Sequence, residues 1–175
     1  MATRTTKERL SRDTVTERAL ALADAEGIEA VTIRRLATDL GVTPMALYWH
    51  FADKERLLDA VAELVLSQVR LPADDESRPW EERLREVLDR LVGVLSAHPS
   101  TTDVVKTRIL QSEPGLELTE RVLGLLRGAG FSPEQSAQQA IYALLFLVGL
   151  VTGEPGAMPG EEDEEARDAR LRGKW

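Results

Sequence analysis

The 175-residue chain contains no cysteine, which excludes a disulfide framework, a thiolate metal site and a cysteine nucleophile. It has only two histidines, so a histidine-built metal centre is not expected, and aromatic residues make up 5% of the chain. Its one long apolar stretch, residues 140 to 151, is twelve residues interrupted by Gly149, short of the ~20 that a membrane span needs. Residues 1 to 12 carry Arg4, Lys7, Arg9 and Arg12 against Glu8 with no apolar run, so they read as a basic arm and not as a secretory signal. No export and no membrane partner are expected, and a reducing cytoplasm is the natural home.

Positive charge is also in short supply, with a net charge of −8. The deficit is uneven. Residues 1 to 60 hold 9 Lys/Arg against 10 Asp/Glu, whereas residues 61 to 175 hold 13 against 20. The first part can therefore present a locally favourable field to a polyanion while the rest repels one, and Arg34, Arg35 and Lys54 cluster where that field is needed.

The organising stretch runs from Val31 to Lys54. Thr32 can cap a short helix whose inward positions are Ile33, Leu36, Ala37 and Leu40, and Gly41 supplies the left-handed position that ends it. Two residues later Thr43 is a second N-cap and Pro44 sits at N1, where its missing N–H costs nothing. Leu47 and Phe51 form the buried stripe of this second helix. Two short helices joined through a glycine turn make a helix-turn-helix, whose second helix can enter a DNA major groove. Tyr48, Trp49, His50 and Lys54 suit phosphate and sugar contacts. Pro44, Met45 and Ala46 offer only apolar contact with thymine methyls, and Arg34 is the candidate for a bidentate contact to guanine. The competing reading is a helical interaction module in which this second helix is only packing.

On these residues, and above all on Leu47-Tyr48-Trp49-His50, the chain resembles the TetR family of bacterial transcriptional regulators, nearest in the reader helix to the tetracycline repressor branch. The resemblance is strong from Arg12 to Ala62. It implies an all-α protein with an N-terminal helix-turn-helix DNA-binding domain over residues 1–60, of which 1–11 are the basic arm. A C-terminal helical ligand-binding and dimerisation domain over 61–175 is then expected. DNA contact is expected from Thr32, Arg34, Thr43, Pro44, Met45, Ala46, Tyr48, Trp49, His50 and Lys54.

Around this motif the helical periodicity predicts a first helix over Asp13–Glu26 and a fourth, capped by Asp53, continuing to about Arg70. A fifth follows from Pro79 to Ala97, broken by His98-Pro99, and a sixth spans Thr102 to Leu110. Ser112-Glu113-Pro114-Gly115 reads as a turn before a seventh, and Ser132-Pro133-Glu134-Gln135 opens an eighth as N-cap, N1 proline and capping-box glutamine. His98 at a helix end suits a C-terminal charge interaction. The run Glu161 to Glu165 lacks the ligand spacing of a calcium loop and reads as a solvated linker.

A small effector is expected between the body helices, lined by Leu84, Leu88, Val105, Arg108, Ile109, Leu126, Tyr142 and Leu144. This set favours an apolar molecule with one or two polar anchors. In the tetracycline repressor a histidine of the sixth helix helps hold a drug-chelated magnesium, and Thr102 to Leu110 contains none. Tetracycline–magnesium is thus not the expected ligand, and no cofactor, metal or catalytic residue is expected. The segment 140 to 151 is apolar all round, which points to a homodimer with Ile141, Leu145 and Val148 at its interface. The resemblance implies a further apolar helix to complete that interface, and none follows Gly153. Either the chain is truncated relative to a full family member, or residues are missing, or it dimerises differently. The expectation is poor dimerisation or aggregation of the chain as it stands. The whole reads as a ligand-responsive regulator, in sign a repressor, on a palindromic operator.

Overall fold

A computed structural model describes residues 10–73 and 75–153. Among the described residues the chain is all-α, with eight α-helices, three short 3-10 turns and no strand. Residues 1–9 of the basic arm and the acidic run from Glu161 lie outside the described residues.

α1 (Arg12–Glu26) starts where the Thr14 N–H donates to Ser11 Oγ at 3.0 Å, and buries Val15, Ala19, Leu22 and Ala23. α2 (Ile33–Leu40) is capped by Thr32 and ends at Gly41, whose φ of 66° is left-handed as the turn requires. α3 (Pro44–Tyr48) begins two residues further on, capped by Thr43. Leu47 is wholly buried, and Phe51 just beyond the helix returns its N–H to the Leu47 carbonyl at 2.9 Å. α4 (Lys54–Ser67) is capped by Asp53.

α4 stops earlier than its apolar pattern suggests. The Gln68 and Val69 N–H groups fall back onto the Val65 and Leu66 carbonyls at 3.1 and 3.0 Å, and Pro72 disfavours a helical Leu71. α5 (Trp80–Ala97) and α6 (Thr102–Arg108) follow, and the residues expected to finish α6 wind instead as a 3-10 turn over Ile109–Gln111. α7 (Glu113–Gly128) absorbs the expected turn: Ser112 is its N-cap, and Pro114 and Gly115 lie in its first helical turn. Gly115 is required there, because a Cβ would collide with the Ile109 carbonyl. α8 (Pro133–Thr152) opens with the expected capping box, complete on both sides.

The apolar core is continuous. It runs from Val15, Leu36, Leu47 and Phe51 through Leu57, Val61 and Val65 of α4 into Val87, Leu95, Val105, Leu118 and Leu125 of the body. α4 therefore crosses the division expected at residue 60, and reader and body share one core. α8 packs on α5, α6 and α7, which marks it as a body helix although its 20 residues have the length and hydropathy of a span. Its inward stripe is Leu144, Leu147, Val148 and Val151, at helical spacing. Val148 is thus buried within its own chain and not on an outer face as expected. Ile141, Phe146 and Leu150 are the exposed apolar residues of this helix.

Candidate nucleic-acid interface

With Leu47 locked beneath it, α3 can turn only one face outward. Met45 is 67% and Trp49 85% exposed, Pro44 and Tyr48 are exposed, and Ala46 and His50 are half-buried. Thr32 and Thr43 are exposed with their hydroxyls engaged as caps, accepting from the Arg35 N–H at 3.1 Å and the Ala46 N–H at 3.4 Å. Arg34 is exposed on α2 and, among the described residues, its guanidinium has no ion pair. α2 and α3 pack on one another, so these positions share the edge that the two helices form.

The three cations expected there do not behave alike. Arg35 turns away toward α1, with Nη1 and Nη2 on the Glu26 carboxylate at 2.8 and 2.5 Å and Nε on Asp39 Oδ1 at 3.1 Å. Arg18 adds a bond to Asp39 Oδ2 at 2.8 Å. The Arg35 bonds hold the Glu26 carboxyl below its ordinary value, and those from Arg18 and then Arg35 do the same for Asp39. Arg35 is accordingly a strut between α1 and α2. Lys54 stays at the edge, 3.9 Å from Glu29. Arg12 lies with its guanidinium carbon 4.8 Å from the centre of the Phe51 ring, bracing the end of the reader helix.

Two polar joints connect this edge to the body, one near each end of α4. At its start, Arg108 of α6 donates from Nε to Asp59 Oδ1 at 2.8 Å and from Nη2 to the Glu55 carboxylate. At its end, His98 Nδ1 lies 2.9 Å from Asp24 Oδ2 of α1, and its Nε2 lies 3.2 Å from Gln68 Oε1. Ser100 Oγ also donates to the Ala23 carbonyl at 2.8 Å. Sequence reasoning missed Asp24, Glu55, Asp59 and Gln68. Their partners lie 30 to 74 positions away, and no local pattern signals such pairs.

An apolar cavity of about 240 Å³ opens between α5, α7, α8 and the 109–111 turn, with Leu88, Ile109, Leu110, Val122, Ile141 and Leu144 on its walls and Thr119 as a polar point. Of the residues expected around an effector, Leu88, Ile109 and Leu144 line this cavity. Val105 and Leu126 are buried in the core and Leu84 packs against it, while Tyr142 accepts a bond from Gln138 Nε2 at 2.8 Å. Arg108 faces α4, for the electrostatic reason just given. Ile141 stands at the cavity wall while remaining exposed.

Comparison with known proteins matches residues 15–61 to bacterial regulatory proteins of the tetR family, and residues 71–173 to the tetracyclin repressor-like C-terminal domain. The chain is 29% identical to the HTH-type transcriptional repressor DrrR1 of Streptomyces coeruleorubidus, over 92% of this chain and 58% of that one. It is 36% identical to the class C tetracycline repressor protein of Escherichia coli, over 91% of this chain and 73% of that one. It thus spans about three-fifths of the length of DrrR1 and of an HTH-type regulator from Saccharopolyspora erythraea, 58% and 63%. Among solved structures, BioQ with its double-stranded DNA operator superposes with a TM-score of 0.73 at 30% identity, covering 94% of this chain and 98% of that one. The Streptomyces coelicolor protein ActR in complex with actinorhodin gives 0.74 at 28% identity, covering 93% and 78%.

Proposed function

The chain belongs to the tetR family of bacterial regulatory proteins, and from that premise we propose that it is a transcriptional repressor released from a palindromic operator by a small apolar effector. The observation that carries this reading is the outward face of α3, where Met45, Tyr48 and Trp49 stand exposed above a fully buried Leu47, with Arg34 exposed on the adjoining α2 and without an ion pair among the described residues. A face of that kind on a helix held by a glycine turn fits a major groove. BioQ, of similar fold, is seen with an operator, and ActR with a small molecule.

The effector site proposed is the cavity beside Leu88, Ile109 and Leu144. A molecule there presses on the 109–111 turn, which continues directly from Arg108, and Arg108 holds the start of α4 through Glu55 and Asp59. Binding that favours one position of this turn shifts the population between DNA-competent and DNA-incompetent placements of the reader. A homodimer supplies the two reader helices of a palindrome, with the exposed apolar residues of α8 at its interface. The place of action is the cytoplasm, where the bacterial chromosome lies.

Fluorescence anisotropy of the chain with palindromic and scrambled duplexes, across a salt series, tests the reading. Selective binding that weakens steeply with salt supports it, and equal, weak affinity for every duplex removes it. Release by an apolar effector should persist in the presence of a chelator; dependence on added magnesium would contradict the cavity assignment.

A further inference from the structure

Base identity in the major groove is carried by hydrogen-bond donors and acceptors and by the C5 methyl of thymine. Donors and acceptors are read by polar side chains, and the first turn of α3 offers a proline ring, a thioether and a methyl group from Pro44, Met45 and Ala46. The Thr43 hydroxyl before them is engaged by the Ala46 N–H at 3.4 Å. Met45 and Trp49 are four apart, hence on one face, and form an exposed apolar strip opposite the buried Leu47 and Phe51. Apolar surface of this size on so short a helix gains free energy only when something covers it. The charge of the neighbouring cations says what: among the described residues Arg34 has no ion pair, and Lys54 lies 3.9 Å from Glu29, which favours a polyanion over an apolar protein surface.

We propose that α3 selects its operator through the C5 methyl groups of major-groove pyrimidines packed against Met45 and Ala46, so that 5-methylcytosine is accepted where thymine is preferred and cytosine methylation tunes occupancy. The inference rests on the regulator reading above. Thymine and 5-methylcytosine place the same methyl at the same edge of the groove. They differ in the neighbouring exocyclic group, an acceptor in one and a donor in the other, and neither a thioether nor a methyl side chain discriminates strongly between these.

The test begins with in vitro selection of a duplex by the full chain from a random library. Each thymine of the selected half-site is then replaced by deoxyuridine, which removes the methyl and nothing else. At least one replacement should weaken binding about fourfold, and about fifteenfold when both half-sites carry it, as the burial of one methyl-sized group implies. At that same position a 5-methylcytosine–guanine pair should bind about fourfold tighter than cytosine–guanine. Met45→Ala should bring both ratios toward one, and Met45→Leu should keep them; Met45 is exposed, so neither change disturbs folding, which a thermal melt checks. A selected duplex whose affinity ignores every deoxyuridine overturns this inference and leaves the regulator reading standing. Ratios unchanged in Met45→Ala overturn it as well, and a chain that selects no duplex overturns both.

Discussion

The His98 imidazole meets the Asp24 carboxylate at 2.9 Å, tying the end of α5 to the end of α1 across 74 positions of sequence. The same ring touches Gln68 at the end of α4, so one side chain sits where the reader's buttress, the connecting helix and a cavity-lining helix converge. Leu22, Ala23 and Leu95 are buried near the ends of the same helices, and the imidazole adds a directional polar contact to that apolar packing.

His98→Ala should therefore cost about 1 kcal/mol in chemical denaturation, and a double-mutant cycle with Asp24→Asn should show coupling of about 0.5–1 kcal/mol. The more telling readout is the effector's effect on operator affinity. A variant that still binds operator but responds less to effector places His98 in the coupling path. Full response with the joint removed assigns the transmission to Arg108 alone.

Acid should loosen the reader through the Arg35 network. Glu26 and Asp39 are held below their ordinary range by guanidinium hydrogen bonds. A carboxylate depressed in the folded state adds stability that is fully present above its unfolded value and is lost as pH falls through the folded one. Melting temperatures should thus fall as pH drops below about 4, the ordinary carboxylate range. Arg35→Ala should lower stability at neutral pH and flatten the profile in that acid window. An unchanged profile in Arg35→Ala would place the acid sensitivity elsewhere.

Arg34 and Lys54 should separate base reading from phosphate anchoring. Arg34→Ala is expected to cost about 1–3 kcal/mol on the selected operator and to relax preference at one base pair per half-site. Lys54→Ala should weaken all duplexes alike and flatten the salt slope. Uniform loss in both variants would make Arg34 a phosphate contact.

Two glycines of α7 should respond in opposite directions. Gly115→Ala drives a methyl into the Ile109 carbonyl at the joint that walls the cavity, and should cost about 1–3 kcal/mol. Gly124 has open space around its missing Cβ, so Gly124→Ala should gain about 0.5–1 kcal/mol from helix propensity alone. Urea midpoints of the two variants compare them directly, and a destabilised Gly124→Ala would reveal packing against that face.

What the sequence made legible was local. Thr32, Gly41, Thr43, Pro44, Asp53 and Ser132 each act on neighbours within a few positions, so caps, turn and helix starts follow from residue type and spacing. Helix ends were harder, because Val69 and Leu71 continue an apolar pattern after the backbone has already tightened at Gln68. Long-range pairing was invisible. Arg108 looks equally suited to a ligand or to an ion pair until α6 is laid across Glu55 and Asp59, and Arg35 looks like a DNA contact until α1 brings up Glu26. Val148 illustrates the remaining kind of miss: in a helix apolar on every side, periodicity does not say which stripe the body covers.

That stripe now distinguishes assembly from folding on α8. Ile141, Phe146 and Leu150 are exposed, while Leu147 and Val148 are buried against the body. Each large apolar side chain left in water forgoes about 1.5–3 kcal/mol, so a second α8 laid against this face offers a substantial driving force for association. Phe146→Glu puts a charge where that partner would sit, on a side chain that is 66% exposed, so it should leave the thermal melt of the monomer intact while shifting sedimentation from the associated species, weak dimer or aggregate, to monomer. Val148→Glu buries the same charge inside the chain and should unfold it. Operator affinity should fall steeply with Phe146→Glu, since one reader helix then binds half a palindrome. Sedimentation velocity on the wild type and both variants decides it: a monomeric wild type, or a Phe146→Glu protein that remains dimeric, would mean that the exposed face of α8 is not where two copies meet.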